Sequence, residues 1–379
     1  MRTDAPPRQF SRILLLRLRQ IGDVVFTTPA VHAVRDRFPN AHLAYVVEPA
    51  AAPVVANSPH LDDVIVAPRR GSAAQLPHDL ALGWRLRAQR YDLAIDFHGG
   101  PRSSLLTWLS RAPTRIGYDV AGRGWMYTRR VARARNLLPR HSVESQWDLL
   151  AAIDIAPPGR AQYPVEMAVD ARAESAVATR LARATIGDGD RLIVLHVSAG
   201  NPFRRWPLAA FATLIARLLA ESPRRRVIVT SGPSDRQAAD RVIDEARGLL
   251  AASDRDRIVS CGDFSLGELR ALLDRASLFI GGDSGPLHIA ATTIVPIVGL
   301  YGPTLPARSA PWRAPHLIAE AVEVEGLACR PCDQRVCAPG DFRCLTTIRP
   351  EQVAQAAERA LEGSGPAARA AGLTRARTR

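Results

Sequence analysis

Leu278-Phe279-Ile280-Gly281-Gly282-Asp283-Ser284-Gly285-Pro286-Leu287-His288-Ile289-Ala290-Ala291 reads as a buried strand, a tight polar turn and the first turns of a helix. Leu278 to Ile280 is short and apolar. Gly281 and Gly282 let the backbone bend and let a ligand come close. Ser284 suits an N-cap, and Pro286 is tolerated in a first turn, where its missing N–H costs no internal bond. Such a start presents free N–H donors and a partial positive charge, which suits a phosphate. Asp283 and His288 add side chains able to face the same ligand. On spacing alone, an ordinary capped turn explains the stretch as well as a phosphate site does.

Working outward, strands alternate with helices. A first strand, Arg12-Ile13-Leu14-Leu15-Leu16-Arg17-Leu18, leads through Gly22-Asp23 into a helix over 28–38, and strands follow at 41–47 and 64–66. A helix near 80–89 precedes the strand Tyr91-Asp92-Leu93-Ala94-Ile95-Asp96-Phe97. The pattern breaks at Pro157-Pro158-Gly159 and at Gly187-Asp188-Gly189-Asp190, with a charged helix over 171–184 between them. A second series begins at Arg191-Leu192-Ile193-Val194-Leu195-His196-Val197. It runs through helices over 208–221, 235–250 and 266–274 and strands at 227–230, 258–259, 278–280 and 296–300. Alternation of this kind implies parallel βαβ units and doubly wound sheets. Two series in one chain predict a two-domain α/β protein with a cleft between domains, its ligands lying beyond the carboxyl ends of the strands. The loop after the first strand has a lone Gly22, which argues against a nicotinamide or flavin site there.

The domain reading is a flexible N-terminus (1–11), a first Rossmann-like domain (12–170) and a connection (171–190). A second Rossmann-like domain (191–349), a final helix (350–362) and a disordered basic tail (363–379) follow. At 379 residues the chain has room for roughly two to three domains. With 47% hydrophobic residues it is globular, and no apolar run reaches the ~20 residues of a membrane span. The first ten residues are polar and lead to no signal-peptide core, so the expectation is a cytoplasmic protein. The formal net charge is +13, and all 50 basic residues are arginine. The excess points to anionic partners: nucleotides, acidic glycans or a membrane surface. No zinc-finger or homeodomain pattern supports nucleic acid.

Several polar loops carry candidate chemistry. Asp23, at the end of the first strand, is placed to act as a general base or to cap a helix. In Ser198-Ala199-Gly200-Asn201-Pro202-Phe203-Arg204-Arg205-Trp206-Pro207, Arg204 either grips a phosphate bidentately or is solvated, and Trp206 anchors the next helix. Thr230-Ser231-Gly232-Pro233-Ser234-Asp235 lines a nucleotide or ribose pocket or simply turns the chain, with Asp235 as a cap. His98 and Arg102 face a ligand, or pack and meet water; His141 is equally ambiguous. Cys329, Cys332, Cys337 and Cys344 fit a structural zinc clip or a set of reduced thiols, while Cys261 reads as core.

Taken together the pieces resemble the ADP-heptose:lipopolysaccharide heptosyltransferases of glycosyltransferase family 9. The resemblance rests on the opening strand with Gly22-Asp23 and Thr28-Pro29-Ala30, on the 91–97 strand and on His141-Ser142-Val143-Glu144. It rests further on Arg204-Arg205-Trp206-Pro207, and most of all on Gly282 to Ala291 followed by Tyr301-Gly302-Pro303-Thr304. It covers residues 12 to 361. It implies a GT-B fold, two Rossmann-like doubly wound domains facing a central cleft, with the acceptor mainly on the first, the nucleotide-sugar on the second, and the final helix packing back on the first.

The implied reaction is inverting transfer of heptose from ADP-L-glycero-β-D-manno-heptose to the inner core of lipopolysaccharide. Asp23 matches the base, while Ser284, Gly285 and Arg204 would stabilise the ADP leaving group without a catalytic metal. Asp283 would bind the donor sugar, with His288 near the diphosphate and Ser198 and Gly232 at the nucleotide. Arg102 and His98 are candidates for acceptor binding, and the anionic, lipid-borne acceptor implies peripheral contact with the inner membrane. Arg204 stands where relatives often carry lysine, and His98-Gly99-Gly100 replaces a more usual Gln-Gly. The competing readings are a non-catalytic nucleotide-sugar or glycan-binding relative, a family transferase acting on a different glycan, and a GT-B-like epimerase.

Overall fold

The computed structural model describes residues 9–133, 139–187 and 189–363. The basic tail beyond residue 363 and the N-terminus before residue 9 lie outside them. The chain divides into two compact units, the first ending at Ala168 and the second beginning at Val169.

The first unit runs β1 (Arg12–Leu16), α1 (Ile21–Val25), α2 (Thr28–Arg37), β2 (His42–Val47), α3 (Ala52–Val55), β3 (Asp63–Val66), α4 (Ser72–Ala88), β4 (Leu93–Asp96), α5 (Pro101–Leu109), β5 (Thr114–Tyr118), β6 (Arg129–Val131) and α6 (Ser142–Ala151). The second runs α7 (Ala171–Arg183), β7 (Arg191–His196), α8 (Leu208–Ala220), β8 (Arg225–Thr230), α9 (Arg236–Gly248), β9 (Ile258–Val259) and α10 (Leu266–Arg275). It continues with β10 (Leu278–Gly282), α11 (Gly285–Ala290), β11 (Ile297–Tyr301), α12 (Pro306–Ser309), β12 (Ala319–Glu323), α13 (Arg343–Thr346) and α14 (Pro350–Glu362).

Each unit holds a six-stranded sheet, ordered β3-β2-β1-β4-β5-β6 and β12-β11-β10-β7-β8-β9. All the pairings are parallel. Counted from its own first strand, each sheet has the doubly wound order 3-2-1-4-5-6, and the order reverses between β1 and β4 and between β7 and β10. Helices diverge to opposite faces there, leaving a crevice at the carboxyl ends where ligands bind. The central strands are apolar throughout because both faces are covered: Ile13, Leu14, Leu15 and Leu16 are wholly buried, as are Phe279 and Ile280. Each such side chain contributes about 1.5–3 kcal/mol of burial free energy.

The structure departs from the sequence reading in three places. The reading left α3, β5, β6, α5, α6, α12, β12 and α13 unassigned, and α4 starts at Ser72 and runs through Pro77 where a helix was expected only near residue 80. The helix α7, read as a connection, belongs to the second unit: Arg180 donates to the Asp263 carbonyl (2.6 Å) and pairs with Glu268 (2.7 Å) on the start of α10. The last correction concerns α14. Its buried face, Val353, Ala356, Ala357, Ala360 and Leu361, fills the core of the second unit beside Leu218, Leu345 and Ile348. Arg225 grips Glu358 with two bonds, at 2.7 and 2.5 Å, and fastens the helix there. The apolar stripe expected to meet the first domain is used at home.

Candidate functional site

In the first unit, β1 runs straight into Arg17, which lies between Leu16 and Leu18. A guanidinium buried at the end of such a strand must find partners. Arg17 donates to the Phe97 carbonyl beyond β4 (2.6 Å) and pairs with Asp23 at 2.5 Å. Burial acts to lower the Arg17 pKa, but the Asp23 carboxylate outweighs it and raises it. Asp23 occupies the first turn of α1, where Oδ2 also accepts from the Gln20 N–H at 3.3 Å. The N-cap is Gln20, and Asp23 completes its capping box from the third helical position, with a side chain 38% exposed and open to an incoming hydroxyl.

The β4 end completes this switch point. The buried Asp96 accepts from the N–H groups of His98 (2.8 Å) and Gly99 (3.0 Å) and from the Tyr127 hydroxyl (2.7 Å), which shapes the turn into α5. His98 is held below its ordinary pKa, first by burial and then by the Arg17 charge, with Asp96 and Asp23 opposing. Its ring thus lies within the field of the Arg17–Asp23 pair, and Nδ1 is buried with no hydrogen-bond partner among the described residues. His141 plays a structural part instead, capping α6 with its Nδ1, which accepts from the Val143 N–H at 3.2 Å.

Arg102 overturns its expected role. Nε bonds both Asp79 oxygens (3.0 and 3.1 Å), Nη1 bonds Glu48 (3.1 Å) and the Ala67 carbonyl (3.1 Å), and Nη2 bonds Asp79 (2.9 Å) and the Pro68 carbonyl (3.0 Å). A guanidinium has five N–H donors, and this set occupies them. Arg102 ties α4, α5 and the β3 exit together and has no donor left for an acceptor sugar.

In the second unit, the opening turn sits where β10 meets β7. A Cβ on Gly282 would lie 3.0 Å from the Arg204 carbonyl, so a glycine lets the Arg204 loop close over the strand end. Arg204 donates through Nη1 to the Asp283 carbonyl (3.1 Å), stands 3.3 Å from the Asp283 carboxylate, and donates through Nε to Gln334 (2.7 Å). Asp283 is 1% exposed. Thr304 donates to it at 2.5 Å and His288 stands 3.4 Å away. Burial would raise the Asp283 pKa, but His288, Arg204 and Thr304 hold it down at about 2.

Asp283 and His288 are both buried in the turn, at 1% and 4% exposure, and brace each other there. Ser284 occupies the N-cap position of α11, yet its hydroxyl makes no cap bond, and Oγ has no hydrogen-bond partner among the described residues. With only six residues in α11, individual N–H donors and that hydroxyl matter more than a helix dipole.

Ser198 and Gly232 bond each other, the Gly232 N–H donating to Ser198 Oγ at 2.7 Å. Ser198 also meets His196 Nε2 (3.1 Å), and burial pushes the His196 pKa down to about 4, so the ring is neutral. The pair expected at the nucleotide ties the β7 and β8 loops together. Beside it is a cavity of about 160 Å³ at the carboxyl ends of β7, β8 and β9, lined by His196, Thr230, Ser231, Asp263 and Phe264. Cys261, expected in the core, lines it too. The signal for these residues was their position at strand ends. Gln334 carried no signal, since a loop with no periodicity delivers it.

The four cysteines share a second cavity of about 220 Å³, with Phe203, Pro303 and Phe342. A tetrahedral zinc with Zn–S near 2.3 Å would hold its sulfurs roughly 3.8 Å apart. Among the described residues, the one trio of His, Cys, Asp or Glu with ligand atoms within 4.8 Å of one another is His32, His60 and Glu166. The thiols are thus not gathered as a zinc clip. Their loop instead braces the site: the Cys332 N–H donates to the Pro303 carbonyl (3.1 Å), and Arg330 to that of Thr304 (2.8 Å).

In the His–Glu trio, Glu166 accepts from His32 (3.1 Å) and His60 (2.9 Å), pinning the last segment of the first unit to α2. Burial would raise Glu166, but these bonds hold it near 2, against an ordinary 4.5. A depressed carboxyl contributes stability fully above its unfolded value and loses it as pH falls towards its folded one. The melting temperature of a Glu166→Gln variant is therefore expected to fall less steeply than that of the parent between pH 4.5 and 2; parallel curves would dismiss the clamp.

Two parallel sheets in one doubly wound order, with polar side chains gathered at both switch points, define the GT-B class of fold. The profile of glycosyltransferase family 9 (heptosyltransferase) matches residues 80–340, and the chain belongs to that family. It is 26% identical over 303 residues to lipopolysaccharide heptosyltransferase 3 of Escherichia coli, covering 78% of this chain and 84% of that one. Among solved structures, a family 9 glycosyltransferase from Veillonella parvula superposes with a TM-score of 0.80 at 24% identity, covering 95% of this chain and 99% of that one. E. coli heptosyltransferase WaaC with ADP gives 0.67 at 22%, covering 92% and 99%. No helix among the described residues is long and apolar enough to cross a membrane.

Proposed function

We propose that the protein transfers heptose from ADP-L-glycero-β-D-manno-heptose, with inversion, to the inner core of lipopolysaccharide at the cytoplasmic face of the inner membrane. The observation that carries this reading is Arg204, a half-buried cation fixed over the β10 turn beside the unpartnered Ser284 hydroxyl. Asp23 takes the proton from the acceptor hydroxyl as its oxygen attacks the anomeric carbon. The bond from that carbon to the diphosphate breaks from the opposite face. Arg204, Ser284 and the Gly285 N–H meet the charge that develops on ADP. Asp283 and His288 hold that turn in shape, and the cavity at the ends of β7, β8 and β9 takes the nucleoside. His98, close to Asp23, faces the acceptor. No step draws on a metal. The net charge of +13 suits an anionic acceptor and peripheral membrane contact.

The test is ADP release from ADP-heptose in the presence of inner-core acceptors of increasing length. Arg204→Ala should weaken ADP binding about tenfold or more, as expected for a lost charge-assisted bidentate contact. Unchanged ADP affinity in that variant, by calorimetry, would remove Arg204 from the leaving-group site.

A further inference from the structure

The helix α4 carries two adjoining apolar rows, one buried and one exposed. One face, with Leu82, Gly83 and Leu86, is buried. Gly83 lies so close to Leu109 that an added Cβ would meet that side chain at 2.5 Å, so α4 is seated tightly on α5. The adjoining face presents Leu76, Leu80 and Trp84, one per helical turn, with Leu76 57% and Trp84 67% exposed. At 1.5 Å per residue this stripe is about 12 Å long. Beyond α5, Trp108 meets Trp125 edge-on at 5.6 Å, and Trp125 is 61% exposed. Scattered apolar side chains are ordinary on a surface, but a leucine-tryptophan row along one helix is not.

The exposed charges on and beside α4 are arginines. The single acid on α4, Asp79, is buried against Arg102. Arg85, Arg87, Arg90 and Arg111 are exposed. The Arg87 guanidinium carbon lies 5.5 Å from the Trp84 ring centre and that of Arg111 lies 4.2 Å from the Trp108 ring. Arginines that lie along aromatic rings while their heads reach outward suit a boundary between an apolar phase and an anionic layer. A second copy of the chain does not fit, since a two-fold pairing of α4 with α4 would set arginine against arginine. Nucleic acid offers the charge but no apolar phase for Leu76 and Leu80.

We infer that the α4 face formed by Leu76, Leu80 and Trp84, with Arg85 and Arg87 beside it, docks the protein on an anionic phospholipid bilayer. This gives the membrane contact proposed above a definite surface, and it rests on that reading of the acceptor as lipid-borne. The test is co-sedimentation of the full-length protein with vesicles of phosphatidylcholine alone or mixed with phosphatidylglycerol. The intact protein should bind the mixed vesicles, release with rising salt, and shift its tryptophan emission to the blue. Leu80→Ser with Trp84→Ser, and separately Arg85→Glu with Arg87→Glu, should each weaken partitioning about tenfold, with the melting temperature unchanged. Partitioning equal to the intact protein in both variants, equal binding to neutral vesicles, or a dimer that dissolves in the Leu80→Ser, Trp84→Ser variant would overturn the proposal. Transfer to an acceptor held in detergent should persist in both variants. Absence of ADP release by the intact protein on any acceptor would instead sink the transferase reading, whatever the vesicles show.

Discussion

Asp23→Asn will reduce heptose transfer by about 10²–10⁴-fold, the usual contribution of a positioned proton acceptor. The amide keeps the size and the hydrogen bond to Gln20 but cannot take a proton. Its carboxylate parent pairs with Arg17 at 2.5 Å, which fixes its position. Stability should drop as well, because Arg17 is buried and loses its counter-charge, though by less than for a fully buried pair, since Asp23 itself reaches water. The two effects separate experimentally. ADP affinity and the melting temperature report folding, and the rate at saturating substrates reports chemistry. A folded Asp23→Asn protein with near-parental turnover would exclude Asp23 as the base.

Arg102→Met should be the most destabilising of these single changes, at about 3–5 kcal/mol, the cost of stranding a buried charge without its partner. Asp79 is 3% exposed and loses its counter-charge when the guanidinium goes, while the buried Glu48 keeps Arg69 at 3.0 Å. Against a total stability of about 5–15 kcal/mol, that loss leaves a marginal protein. Urea unfolding measures it, and adding Asp79→Asn to Arg102→Met should recover part of the deficit. A midpoint within error of the parent would mean that the network contributes little. The same change read only as loss of an acceptor contact would alter the apparent acceptor affinity and leave the urea midpoint in place.

The sequence was most legible where one physical requirement dominates. Continuous apolar runs such as 13–16 and 278–280 can only be doubly covered strands, and their alternation with helices determined the class of fold. Polar residues in the loops after the strands marked both switch points, which is why Asp23, Arg204 and Ser284 were singled out. Legibility failed where partners come from far along the chain. Arg102 looked like a loop cation because its partners Glu48 and Asp79 are 54 and 23 residues away. For Asp283 and His288, spacing reports that two residues share a turn, and not that they also meet Thr304 and each other. The α14 stripe announced an apolar face and gave no address for it. Ser198 and Gly232 lie at the right strand ends, yet 34 residues of separation hid that they satisfy each other.

The bond from Arg204 to Gln334 has a consequence for affinity. A free arginine side chain carries about 2 kcal/mol of rotamer entropy. Here Gln334 on one side and the Asp283 carbonyl on the other immobilise the guanidinium, and Asn201 holds Gln334 in turn at 2.8 Å. Most of that freedom is lost when the chain folds, so little remains to be lost when an anion arrives. In the proposed reaction the cysteine-bearing loop would thus strengthen ADP binding without touching the ligand, by keeping one cation still.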